Sequence, residues 1–171
     1  MSKLPITASA ILILFFSTRT GNSEKRVNVN QDETKKKQAE KQFVNPKDLS
    51  PPGSYTHVVT VNRGKMIFVS GQVALNKQGE IVGKGDLRVQ ATQVFENLKI
   101  ALTAAGATFA DVVKMNTYVV NYKPADVAII REVRSKYLSK ERPPASTLVG
   151  VPALAREDFL IEVEVIAAVD Q

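Results

Sequence analysis

Three observations predict an α+β fold for residues 43–171, with element order ββαβαββ and both helices on one face of a mixed sheet. The first is a long amphipathic stretch from Asp86 to Ala105. There Leu87, Ala91, Val94, Phe95, Leu98, Ala101, Leu102 and Ala105 recur at the spacing of a helix laid on a sheet. The second is strict alternation over Phe159 to Ala168. Ile161, Val163, Val165 and Ala167 interleave with Leu160, Glu162, Glu164 and Ile166, the signature of a strand buried on one side. The third is the connectivity. One hairpin-like turn and two long crossovers imply a sheet with parallel and antiparallel neighbours. Two helices on one face leave the other face uncovered within a single chain, so a homo-oligomer is expected.

The elements follow in order. Leu4 to Phe16 (LPITASAILILFF) is apolar and follows Lys3. It is shorter than the roughly 20 residues of a membrane span. Over residues 1–23 the layout is that of a secretory signal peptide, which predicts a periplasmic or secreted protein. The alternatives are an uncleaved anchor, or a cytoplasmic chain with a misassigned start. The nearest cleavage candidates are Ser17-Thr18-Arg19 and Gly21-Asn22-Ser23. Residues 24–42 are polar, without apolar period, and read as a disordered spacer. Asn45-Pro46 and Ser50-Pro51-Pro52-Gly53 are turn signals. Tyr55 to Val61 and Lys65 to Ser70 read as strands joined by a hairpin-like turn at Asn62-Arg63-Gly64. Asp86 is the expected N-cap of the first helix, and Gly106 sits where a left-handed C-terminal residue belongs. Thr108 to Asp111 has the form of a capping box on a short turn. Val112 to Val120 is a strand, and Pro124 opens a second helix to about Leu138, with Val127, Ile130, Val133 and Tyr137 inward. Arg142-Pro143-Pro144 breaks the chain before a strand at Ser146 to Val151.

Composition narrows the chemistry. The chain has no cysteine and one histidine, His57. A thiol nucleophile, a disulfide framework, a histidine metal site and a Ser-His-Asp triad all lack material. Acid–base work falls to carboxylates, Tyr, Lys or ordered water. The net charge is +6, of which residues before Gln42 carry +4. The basic character therefore belongs mostly to the leader and spacer, and no nucleic-acid partner is expected for the folded part.

Four stretches together resemble the RidA (YjgF) family of reactive-intermediate deaminases. They are Gly53 to Val59 (GSYTHVV), Phe68 to Gln72 (FVSGQ), Phe95-Glu96-Asn97-Leu98 with Ala104-Ala105-Gly106, and Pro144 to Val151 followed by Ile161-Glu162-Val163-Glu164. The resemblance spans roughly the last 125 residues. It implies a chorismate-mutase-like fold and a homotrimer, with sheets inward as a barrel and small-molecule clefts between subunits. It also implies hydrolysis of imines and enamines such as 2-iminopropanoate and 2-iminobutanoate to a 2-oxo acid and ammonia, without cofactor or metal.

By the same resemblance, Glu162 is the carboxylate that holds the attacking water. Tyr55 orients substrate or water, Ser70 and Gly71 line the cleft, and Leu148 faces the substrate through its backbone. Each has a plainer reading: a strand-edge charge for Glu162, an amphipathic strand residue for Tyr55, a strand-ending turn for Ser70-Gly71. His57, two residues after Tyr55, reads as structural or interfacial. The chain departs from the family at Ser146. Deaminating members carry an arginine there, whose guanidinium fork fixes the substrate carboxylate. Losing a charge-assisted contact of about 1.5–3 kcal/mol weakens binding about tenfold to a hundredfold. A second departure is Arg131, where many active members have a neutral amide. It is either a substitute positive charge or a solvated helix residue. Three functions follow as expectations: a deaminase with altered substrate preference, a non-catalytic ligand-binding trimer, and RNA binding or cleavage.

Overall fold

The computed structural model describes residues 39–170. The leader at residues 1–23 and spacer residues 24–38 lie outside the described residues. The elements are β1 (Lys41–Val44), β2 (Val58–Val61), β3 (Lys65–Gln72), α1 (Leu87–Ala104), a 3-10 turn at Phe109–Asp111, β4 (Val112–Val120), α2 (Asp126–Arg134), β5 (Ala145–Val151) and β6 (Ile161–Val169). Four strands form one sheet in the order β3-β6-β4-β5. β6 runs antiparallel to β3 and β4, and β5 runs parallel to β4 across the α2 connection. The mixed α+β class with two helices is as expected. Among the described residues no helix is long and apolar enough to cross a membrane.

Three local expectations are corrected. First, Lys41–Val44 is a strand. It pairs antiparallel with β2, from Lys41↔Val61 to Val44↔Val58. Its first two residues, Lys41 and Gln42, fall at the end of the polar stretch read as spacer. Second, the turn at Asn62-Arg63-Gly64 does not close a hairpin: β2 pairs with β1, while β3 pairs with β6. Gly64 has φ 131°, and a Cβ there would come within 2.8 Å of the Val169 carbonyl oxygen. Only glycine lets the chain pass this close to the end of β6, which carries β3 away from β2. Third, Tyr55 precedes its strand. The neighbouring Thr56 donates from its backbone N–H to Pro144 O and from its hydroxyl to Pro143 O (3.2 and 2.6 Å). These bonds tie the segment to the proline break instead of a ladder.

The helices form for local reasons. Asp86 caps α1 by accepting from the Val89 N–H at 3.1 Å, and Gly106 takes a left-handed φ of 76° just beyond it. The Thr108 N–H donates to Asp111 Oδ2 at 3.0 Å, as the capping box requires. α2 begins at Asp126, whose carboxylate accepts from the Lys123 N–H at 2.7 Å, rather than at Pro124. It ends at Arg134, and the chain reaches Leu138 through turns.

The core lies between the helices and one face of the four-stranded sheet. Val94, Phe95, Leu98 and Leu102 of α1 meet Met115 and Val119 of β4 and Ile161, Val163, Val165 and Ala167 of β6. One polar side chain is fully buried with them. Gln90 donates to Asp158 O at 2.7 Å and accepts from the Leu160 N–H at 2.8 Å. Both ends of its amide are satisfied, so its burial carries no unpaired group and ties α1 to the start of β6. On α1, Asn97 donates to Val73 O and Leu75 O at 3.0 and 2.9 Å. This clamp holds the chain just after Ser70-Gly71-Gln72. Tyr137 lies against Phe95 with ring centroids 5.0 Å apart and donates to Glu96 Oε1 at 2.7 Å. Burial, then the bond to Glu96 and its charge, pushes the Tyr137 hydroxyl up to about 12.

The opposite face of the sheet is open. Phe68 on β3 is 75% exposed there, paired in register with Ile166 of β6.

Candidate functional site

Strand alternation sorts the predicted site residues onto two faces. Met115, Thr117 and Val119 of β4 are buried on the helix side. Their partners on β5 are Ser146, Leu148 and Gly150. Paired residues share a face, so Ser146 and Leu148 lie on the helix side. Asn116 and Tyr118 alternate with them, and their partners on β6 are Glu164 and Glu162. Both glutamates therefore lie on the open face.

On the helix side, a groove of about 280 Å³ runs between α2 and β5. Arg131, Ser146 and Leu148 line it together with Ser54, Ile130 and Arg134. Arg134 is the residue that sequence reasoning missed. Its guanidinium donates to Ser146 Oγ at 3.1 Å and to Ser54 O at 2.8 Å. Burial, then the neighbouring positive charge of Arg131, lowers its pKa from the usual arginine value. A signal was present: Arg134 stands four residues after Ile130, on the side of α2 that faces the sheet. A second cavity of about 300 Å³ also touches both arginines and is bordered by Gly53, Leu138 and Pro143.

On the open face, Gly71 and Glu162 are in direct contact. A Cβ at position 71 would sit 2.7 Å from Glu162 Cδ and nearer still to its Oε1. Glycine lets the carboxylate lie over its backbone, and a side chain at position 71 would push the carboxyl aside. Ser70 lines a neighbouring cavity of about 230 Å³ with Phe68, Lys114, Asn116 and Glu164. Glu164, also missed, accepts from Asn116 Nδ2 at 2.7 Å and from the Tyr118 hydroxyl at 3.0 Å. The bond to Glu164, then burial and the charges of Glu164 and Glu162, raises the Tyr118 pKa.

Tyr55 joins neither group directly. It follows Ser54 of the groove, and its ring meets His57 edge-on at 5.2 Å. His57 bonds through Nε2 to Ser50 O at 2.9 Å, while its N–H donates to Asn45 Oδ1 at 2.9 Å. These contacts fit a structural role for the imidazole. One chain thus brings Arg131, Ser146 and Leu148 together, and separately Ser70, Gly71 and Glu162, on opposite faces of one sheet.

Gly71→Ala is expected to destabilise the fold by about 1 kcal/mol, the low end of the overpacking range, because the half-exposed Glu162 carboxyl can rotate aside. In a Glu162→Ala background the same change becomes nearly neutral, because its collision partner is gone. Chemical denaturation of the four variants checks this. An equal cost in both backgrounds would show that the contact does not limit position 71.

The fold and these two surfaces define a small α+β protein with a carboxylate face and a guanidinium face. The family model described as Endoribonuclease L-PSP matches residues 45–169, and the chain belongs to that family, which includes the RutC and Rid proteins. A RutC family protein of Pyrococcus abyssi is 42% identical over 118 residues, 68% of this chain and 87% of that protein. A 2-iminobutanoate/2-iminopropanoate deaminase of Dermatophagoides farinae is 32% identical over 120 residues, 70% of this chain and 89% of its own length. Among solved structures, the Rid family protein YyfB of Yersinia pestis superposes with a TM-score of 0.69 at 41% identity, covering 75% of this chain and 98% of its own.

Proposed function

We propose that this protein is a hydrolytic deaminase of small imines and enamines, of the 2-iminopropanoate and 2-iminobutanoate type. It works as a homotrimer whose clefts lie between subunits, after export directed by its leader. The observation that carries the reading is the separation of Glu162, Ser70 and Gly71 from Arg131, Ser146 and Leu148 by the thickness of the sheet. Neither face is a whole site. A second copy, set against the exposed Phe68 surface, brings one carboxylate face to one guanidinium face. The deaminase named among the relatives supports the same reaction class.

The step needs little of the protein. Glu162 accepts a proton from water as the oxygen attacks the imine carbon. Glu162 returns that proton to the carbinolamine nitrogen and takes the hydroxyl proton as the C–N bond breaks and the C=O bond forms, so that ammonia leaves behind a 2-oxo acid. General-base assistance of this kind contributes roughly 10²–10⁴-fold. Serine at position 146 removes the arginine contact from β5, and the substrate preference shifts with it.

The test is release of ammonia by the full chain from 2-iminopropanoate generated in situ, with the oligomer measured by sedimentation. Acceleration over buffer by a trimer is expected. An intact trimer without acceleration would replace this reading with a ligand-binding module.

A further inference from the structure

We infer that the anion-holding arginine of the cleft has moved from β5 to α2: Arg134, seated on the Ser146 hydroxyl, binds the carboxylate of the ligand. This rests on the proposed reading of the cleft and names the residue that sets its substrate class.

Three observations carry it. The first is position. Arg134 reaches Ser146 itself, the strand position where the charge is otherwise expected, at 3.1 Å. Its second bond, to Ser54 O, fixes the guanidinium between loop and strand. Two of its five N–H donors are used by these partners, and the side chain borders both cavities. The second is charge. Among the described residues no carboxylate lies within ion-pair distance of Arg134 or Arg131. A half-buried guanidinium beside another cation, with no acid opposite, is unfavourable until an anion enters. The lowered pKa of Arg134 is the same imbalance seen from the protein side. The third is the residue at 146. Serine is small and its hydroxyl accepts, so it makes room for Arg134 and orients it. An arginine at 146 would occupy that space with a like charge.

A carboxylate is the matching ligand, because the planar fork binds it in two parallel hydrogen bonds. Ser146 is then a positioning residue, and Arg131 a second cation at the groove's edge.

The experiment is calorimetric titration of the full chain with 2-oxobutanoate, and in parallel with its uncharged analogue 2-oxobutanamide. The variants are Arg134→Gln, Arg134→Lys, Ser146→Ala and, as a control outside the groove, Arg142→Gln. For Arg134→Gln, 2-oxobutanoate binding is expected to weaken about tenfold to a hundredfold, while amide binding stays as it was. Arg134→Lys recovers part of the loss, since a point charge replaces the fork. Ser146→Ala acts in the same direction as Arg134→Gln, and Arg142→Gln changes nothing. Equal weakening of both ligands by Arg134→Gln would mean a structural role and would overturn the inference. So would unchanged binding, or no binding of 2-oxobutanoate by the unaltered trimer. If Arg134→Gln does not fold, the Lys and Ser146 variants decide by the same comparison of charged and uncharged ligand. Selective loss of oxo-acid binding without any deamination would leave the inference standing and remove the proposed function. Deamination with unchanged KM in Arg134→Gln would do the reverse.

Discussion

Glu162→Gln is expected to lower imine hydrolysis by about 10²–10⁴-fold, the range for losing a positioned general base. The substitution keeps the shape of the side chain and removes its ability to take a proton. Glu162 is the second residue of β6, opposite Tyr118 of β4 and over the Gly71 backbone. An amide fills the same space, so the sheet and the oligomer should be unchanged by circular dichroism and sedimentation. The effect should fall on kcat, because the proton transfer belongs to the transition state and not to substrate binding. Glu164→Gln separates the two carboxylates. Glu164 is held by Asn116 and Tyr118, and its loss should disturb those bonds more than the chemistry. A Glu162→Gln variant with more than a tenth of normal kcat would remove Glu162 from the mechanism.

Phe95→Ala is expected to cost about 3–5 kcal/mol of folding free energy, as for other buried aromatic truncations. Phe95 is 1% exposed. Its ring lies 5.0 Å from Tyr137 and 5.8 Å from Phe109, so three segments meet on it: α1, the turn before β4 and the chain after α2. Removing it leaves a cavity and releases aromatic pairs worth about 0.5–1.5 kcal/mol each beyond burial. A small domain holds only about 5–15 kcal/mol in total, so this single change takes a large share. The check is urea denaturation with the m-value compared between variants. A loss below about 1 kcal/mol would mean that the segments repack without the ring.

Much of this architecture was legible before any coordinates. The 3.6-residue spacing of Ala91, Val94, Leu98 and Leu102 and the two-residue spacing of Ile161, Val163 and Val165 each name a buried face, and those side chains form the core. The capping signals at Asp86, Gly106 and Thr108 were readable because each acts on the backbone only a few residues away. The same locality explains the misses. β1 is four residues long and begins with Lys41 and Gln42, so no apolar period marks it; it exists because β2 presents an edge to pair with. The turn at Gly64 has the composition of a hairpin. Where β3 goes next is decided by the end of β6, more than a hundred residues later.

The site divides in the same way. Glu162, Ser70, Gly71, Ser146 and Leu148 stand in short motifs whose order along the chain can be compared with a family. The roles assigned to them rest on that resemblance, since by residue type alone each has a plainer reading. Arg131 and Arg134 differ by three positions on one helix; the spacing from Ile130 turns Arg134 toward the sheet, but nothing along the chain says that this face meets Ser146. That depends on where α2 crosses β5, and the crossing is set by packing against α1 and the sheet. It is Arg134 that arrives. By itself the sequence determined most of the elements, their buried faces and the absence of an arginine at position 146 of β5, because hydrophobic period, capping and motif order act over short distances. Only the tertiary structure decided which strands pair, that the two halves of the site lie on opposite faces, and that a guanidinium returns from α2. Each of these depends on contacts between residues far apart in the chain, which local spacing does not encode.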